Sequence, residues 1–165
     1  VIDLENALIT SASNGESDEI HVVQGIYSGT FLYSSTEANG LIIKGGYDSG
    51  CASHNVDASL TVFDAMGGGT TLALSSSGAS DLSVENLTLQ NGVGISNGGG
   101  LFVNTLGLVH VTASIMQDNL IGDTNRGSGA YVKAGQIVFN DNQFLRNETG
   151  SGSVGGGAYG EAERI

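Results

Sequence analysis

The chain has 165 residues, of which 27 are Gly, none is Pro, 5 are Lys or Arg and 17 are Asp or Glu, for a formal net charge of −12. Five cations cannot build the basic surface that nucleic acid or an anionic membrane requires, and no apolar run approaches the roughly 18 residues of a membrane span. With 39% hydrophobic residues, the chain also lacks the polar, highly charged composition of disorder. The first predicted element is a helix from Asp3 to Ser13, where Leu4, Ala7, Leu8 and Ala12 form an i, i+3, i+4 stripe that Asn14-Gly15 stops. Short strands follow at Ile20–Val23, Phe31–Tyr33, Leu41–Lys44, Leu60–Phe63 and Leu72–Leu74, separated by turn residues as short strands are.

From residue 82 onward a repeat is visible. Asn91, Asn119 and Asn147 lie 28 residues apart, as do Val109 and Ile137, Val111 and Phe139, and Met116 and Phe144. Gly100, Gly129 and Gly157 mark the glycine clusters, each followed by an apolar strand start at Leu101, Ala130 or Ala158. Thr88 occupies the position of Met116 and Phe144, so the first copy carries a one-residue shift. About 28 residues made of short strands is too few for a four-stranded propeller blade and fits one solenoid turn, stacked in parallel on its equivalent. Stacked turns rise about 4.8 Å each. The three Asn residues are then expected to form an internal amide ladder, and the three glycines to supply the positive φ of tight corners.

The fold class expected is all-β: a single right-handed parallel β-helix with a short N-terminal capping helix. Residues 1–15 would form the cap, 16–81 irregular turns and 82–165 the 28-residue repeats. Six or seven turns would give a length of roughly 30 Å.

The segment from Leu4 to Asp64, with its helix, Ile20-His21-Val22-Val23-Gln24-Gly25-Ile26-Tyr27 and Leu41-Ile42-Ile43-Lys44-Gly45-Gly46-Tyr47, resembles the start of bacterial pectin-lyase-like parallel β-helix proteins. Phe144-Leu145-Arg146-Asn147 and Gly156-Gly157-Ala158-Tyr159, with weaker copies at Met116–Asn119 and Gly129–Val132, resemble repeats of the polymorphic outer-membrane proteins. These resemblances imply a bacterial, secreted or cell-surface protein. No signal-peptide pattern occurs in the chain.

The same fold serves lyases, hydrolases, adhesins and inert stalks. A lyase of this class would use acidic residues to hold Ca²⁺ and a Lys or Arg as base. The acids Glu16, Asp18, Glu19, Asp118, Asp123 and Asp141 are spread thinly for a calcium site. Lys44, Arg126, Lys133 and Arg146 are the base candidates, and the repeat places Asp118 one rung below Arg146, as a surface ion pair. His21, His54 and His110 stand apart, and His110 alternates with Val109 and Val111 as an outward residue. Gly67-Gly68-Gly69-Thr70-Thr71 lacks the Lys and helix of a phosphate loop. The acceptor patterns at Asn86 and Asn147 are expected to be accidental. Cys51, the single cysteine, is a loop thiol and a candidate for an intermolecular disulfide.

No catalytic residue is assigned, and no cofactor or metal is expected beyond the Ca²⁺ of the lyase alternative. The expected function is non-enzymatic: a stalk, adhesin or self-assembling filament subunit whose partner is itself, by end-to-end stacking of turns. The first alternative is a lyase or glycosidase acting on acidic polysaccharide. The second is a glycan-binding module without turnover, using Tyr27, Tyr33, Tyr47, Tyr131 or Tyr159. Neither nucleic-acid binding nor membrane insertion is expected.

Overall fold

A computed structural model describes residues 3–162. The outer limits expected for the cap and the repeats, at residues 1 and 165, therefore lie outside the described residues. Helix α1 (Leu4–Ser11) starts at Asp3, whose side chain accepts a hydrogen bond from the Asn6 N–H at 2.8 Å, a short-range N-cap. Strands then follow in five turns. The first holds β1 (Asp18–Val23), β2 (Gly25–Ser28) and β3 (Phe31–Ser35). The second holds β4 (Leu41–Tyr47), β5 (Thr61–Asp64) and β6 (Leu72–Ser76). The third holds β7 (Leu82–Glu85), β8 (Thr88–Gln90), β9 (Val93–Gly94) and β10 (Leu101–Asn104). The fourth holds β11 (Leu108–Thr112), β12 (Ile115–Gln117), β13 (Leu120–Ile121) and β14 (Ala130–Ala134). The fifth holds β15 (Gln136–Asn140), β16 (Gln143–Leu145), β17 (Glu148–Thr149) and β18 (Ala158–Ala162).

Every strand pairs in parallel with its counterpart one turn away. Three five-stranded sheets result, β1-β4-β7-β11-β15, β2-β5-β8-β12-β16 and β3-β6-β10-β14-β18, with a three-stranded ladder β9-β13-β17 at one corner. This is the expected right-handed parallel β-helix with its helix at the N-terminal end, the hand that parallel crossovers adopt.

Five turns are described where six or seven were expected, because the early turns do not share the later period. Along the first sheet Asp18 faces Leu41, Leu41 faces Leu82, Leu82 faces Val109 and Val109 faces Ile137, so successive steps take 23, 41, 27 and 28 residues. The long second turn carries an insertion between β4 and β5, residues 48–60, ending in the 3₁₀ turn Ala58–Leu60.

The core follows from strand alternation. β3, β6 and β10 each place their first and third residues inside (Phe31 and Tyr33, Leu72 and Leu74, Leu101 and Val103) while the residues between face outward. Register stacks like on like. Phe63, Leu89, Met116 and Phe144 form one internal column across four turns. Leu4 and Leu8 of α1 join the same core and cover part of the first turn, which would otherwise expose apolar surface and strand edges. The Ser35 hydroxyl donates to the Ala12 carbonyl at 2.8 Å and ties the end of the cap to β3.

Candidate functional site

The amide ladder involves two of the three asparagines. Asn119 is buried, and its Oδ1 accepts from the Gly92 N–H at 2.8 Å. Its Nδ2 donates to the Leu89 carbonyl at 3.1 Å and to Asn147 Oδ1 at 3.0 Å. Asn147 Nδ2 in turn donates to the Met116 carbonyl at 2.9 Å. Each amide thus bridges its own turn to the one before it.

Asn91 stands outside this ladder. Leu89, not Thr88, faces Met116, and Gln90 faces Gln117, so the step here is 27 residues and Gly92 occupies the ladder position. Asn91 belongs instead to a corner column with Asp118 and Arg146, all three with left-handed backbones (φ 55°, 54° and 50°). Its Nδ2 donates to Asp64 Oδ1 at 3.0 Å.

The glycine clusters also divide their roles differently from the sequence expectation. Positive φ belongs to Gly98, Gly127 and Gly155, at 77°, 67° and 75°, and not to Gly100, Gly129 or Gly157. Gly100 and Gly129 are instead sites of close approach. A Cβ on Gly100 would stand 2.6 Å from Asn119 Nδ2, and one on Gly129 would stand 2.9 Å from Asn147 Nδ2. The ladder amides fill the space that a side chain would need. Gly157 is looser, with its nearest neighbour, Phe144 Cβ, at 3.4 Å.

Three outward columns also link turns. Gln117 Nε2 donates to Gln90 Oε1 at 2.8 Å, and Gln90 Nε2 donates to Asp64 Oδ2 at 2.8 Å. Burial alone would raise the Asp64 pKa, but donors from Asn91, Gln90 and the Met66 N–H outweigh it, and the carboxyl is held below its ordinary value. Arg146 grips Asp118 through Nε at 2.6 Å and Nη2 at 2.7 Å, a bidentate pair that lowers the Asp118 pKa and raises that of Arg146. The rings of Phe102, Tyr131 and Tyr159 stack along the axis, with centroids 5.5 and 6.0 Å apart, and the Arg126 guanidinium lies 4.8 Å from the Tyr159 ring. Burial, then the nearby Glu161 carboxylate, raises the Tyr131 pKa.

The base candidates Lys44, Arg126 and Arg146 each face a carboxylate: Glu85 at 3.4 Å, Glu161 at 2.6 Å and Asp118 at 2.6 Å. Lys133 is exposed, in register with Asn104 and Glu161. Among the described residues, no three His, Cys, Asp or Glu side chains converge as a metal site. His21 stacks on Tyr47 with centroids 3.9 Å apart and meets Glu19 at 2.8 Å, while His54 lies 5.0 Å from the same Tyr47 ring. His110 is exposed. The chain therefore brings His21 and His54 together around Tyr47, which their sequence separation concealed. Cys51 is exposed, at φ 53°, in a tight loop closed by Asp48, which accepts from Gly50, Ala52 and Ser53. These donors, the Ser53 hydroxyl first, hold the Asp48 pKa low. Asn86 is buried against Gly45 and Asn55, with its Oδ1 lacking a partner.

Of the five tyrosines, Tyr33 is 1% exposed and lies in the core, and Tyr47 and Tyr131 are buried at 9% and 7%. Tyr27 and Tyr159 retain partial exposure. Open grooves lie at two places among the described residues. One, of about 740 Å³, runs along the β9-β13-β17 corner between the apolar Met66, Val93 and Leu120 and the polar Asn91, Asp118 and Arg146. The other, of about 760 Å³, opens at the N-terminal end between α1 and the first turn. Among the described residues no helix is long and apolar enough to cross a membrane.

No family model, no curated protein and no solved structure matches the chain.

Proposed function

We propose that the chain is a non-enzymatic segment of a secreted or cell-surface β-helix, acting as a stalk or adhesive rod. The observation that carries this reading is the side-chain linkage of consecutive turns, inside and outside. The Asn119–Asn147 amides, the Asp64–Gln90–Gln117 chain, the Asp118–Arg146 pair and the Phe102–Tyr131–Tyr159 stack all run along the axis. Backbone ladders already join each turn to the next, and these columns add resistance to splaying. Half-buried Ile137, Phe139 and Phe144 of the fifth turn would be covered by a further like turn, from the same chain or from a second copy stacked end to end.

The corner groove supports a second reading, glycan binding without turnover. Two of its rungs offer an apolar step, Val93 or Leu120, beside a polar one, Asn91 or Asp118, and the next carries Glu148 beside Arg146. An enzymatic reading has weaker support, because Lys44, Arg126 and Arg146 are each engaged by a carboxylate.

Incubation with acidic and neutral polysaccharides, with and without Ca²⁺, separates these readings. The rod predicts no cleavage products and, under axial load, unfolding in steps of whole turns. Product formation would overturn it. Retention on immobilised glycan without products would favour the second reading.

A further inference from the structure

Four Asn-Gly pairs occur in the chain, beginning at Asn14, Asn39, Asn91 and Asn97. At such a pair the glycine nitrogen can attack the asparagine Cγ and close a cyclic imide, because glycine has no side chain to hinder the approach. The step is favoured by a base for the glycine N–H, a donor for the oxygen on which charge develops, and access to water. The fold shares these out unequally.

At three pairs the glycine N–H is tied to a group that is no base at neutral pH. Gly40 donates to the Ser17 hydroxyl at 3.0 Å, Gly92 to the Asn119 amide oxygen at 2.8 Å and Gly98 to the Arg126 carbonyl at 3.0 Å. Gly15 differs, because its N–H donates to the Glu37 carboxylate, Oε2, at 3.1 Å, within the reach of a general base. On the same peptide, Asn14 Oδ1 accepts from the Glu16 N–H at 3.0 Å, and Asn14 Nδ2 donates to both Asp18 oxygens, at 3.1 and 3.0 Å. Asn14 and Gly15 are exposed, and a Cβ on Gly15 would meet nothing within 4 Å.

We propose that Asn14-Gly15 is a self-modifying site, at which Asn14 is converted to aspartate and isoaspartate with Glu37 as general base. Glu37 Oε2 takes the proton of the Gly15 nitrogen as that nitrogen bonds to Asn14 Cγ, and the Glu16 N–H holds the oxygen on which negative charge develops. The Cγ–Nδ2 bond then breaks, and Nδ2 leaves as ammonia with the proton that Glu37 returns. Water opens the imide at one carbonyl or the other, giving aspartate or isoaspartate, with no change of oxidation state. Either product adds a carboxylate beside Asp18 in the turn between α1 and β1, where like charges repel, so the helical cap loosens as the protein ages. The site does not depend on the rod reading.

Peptide mass mapping of the chain, incubated at neutral pH, follows all four pairs in one sample, and a parallel incubation in urea gives their rates without the fold. In urea the four should convert at similar rates. In the folded chain Asn14 should convert about tenfold or more faster than Asn39, Asn91 and Asn97, a comparison that needs no variant. Glu37→Gln, with circular dichroism to show that it is folded, should slow conversion of Asn14 about tenfold or more. If Glu37 only held the turn in shape, the same substitution would loosen the turn and speed conversion. Conversion of Asn14 in the fold no faster than at the other three pairs overturns the proposal, as does a rate that Glu37→Gln leaves unchanged or raises.

Discussion

The second turn and the fourth turn enclose the same core by different means. From Leu41 to Leu82 the chain takes 41 residues to return to its starting position, and from Val109 to Ile137 it takes 28. The fourth turn has the short corners of a repeat, and its polar corner residue, Asn119, bonds to turns on both sides. The second carries residues 48–60 as an excursion held by its own short-range contacts, Asp48 to Ser53 and Asp57 to Ser59. Regular turns are therefore held by their neighbours, and the irregular turn partly by itself. What the two share is the inward column of large apolar side chains, which tolerates any loop length provided the strands return in register.

The largest expected effect tests that shared column. Phe63→Ala, which empties a fully buried position packed on Phe31 at 4.9 Å, should cost about 3–5 kcal/mol. Phe144→Ala, at the equivalent position in the fifth turn, should cost only about 1–2 kcal/mol, because part of that ring is already in water. Urea midpoints at constant slope measure both. Equal losses would show that the fifth turn is covered in solution.

Next, Asn119→Ala should cost about 2–4 kcal/mol, since it strands the Gly92 N–H and the Leu89 carbonyl in a buried corner. Asn91→Ala should cost about 1 kcal/mol, mostly because Ala fits the left-handed backbone at φ 55° poorly, since its partner Asp64 keeps two other donors. The reverse order would restore the strict 28-residue phase. Ser35→Ala should cost about 1 kcal/mol and speed amide exchange in α1, because it frees the cap from β3. If exchange in α1 does not change, the cap is held by Leu4 and Leu8 alone.

The smallest effect concerns Asp118. Its pKa is lowered in the fold by Arg146, so the pair contributes above the unfolded carboxyl value of about 3.9 and is lost as pH falls through the lower folded value. Asp118→Asn should flatten the acid limb of the stability curve slightly, and 0.5 M salt should mask the difference, as for exposed pairs. A difference that survives salt would mean that the pair is shielded from solvent.

Much of the architecture was legible because it is written in local periods. The apolar stripe of α1, the alternation in β3, β6 and β10, and the recurrence of Val109 at Ile137 are all patterns along the chain. The Asp118–Arg146 pair was legible for the same reason, since register places residues 28 apart side by side. Asn91 shows the limit. Identical residues at identical spacing suggested one ladder, yet a one-residue difference in register put Asn91 at the corner and Gly92 in the ladder. The signal that could have corrected it was Gln90 and Gln117, 27 residues apart and hydrogen-bonded.

By itself the sequence determined the class of the protein: parallel turns, a helical end, an acidic exterior with few cations. These depend on strand alternation, repeat length and composition, which are properties of neighbours along the chain. Tertiary structure alone decided the phase of the third turn, the division of the glycines between bent backbone and close approach, and the meeting of His21 with His54 around Tyr47. It also decided that Tyr33 lies inside and that the N-terminal end keeps an open apolar groove. Each of those depends on which residues of different turns come into contact, and contact across turns is set by loop length and side-chain packing together, which no single stretch of chain contains.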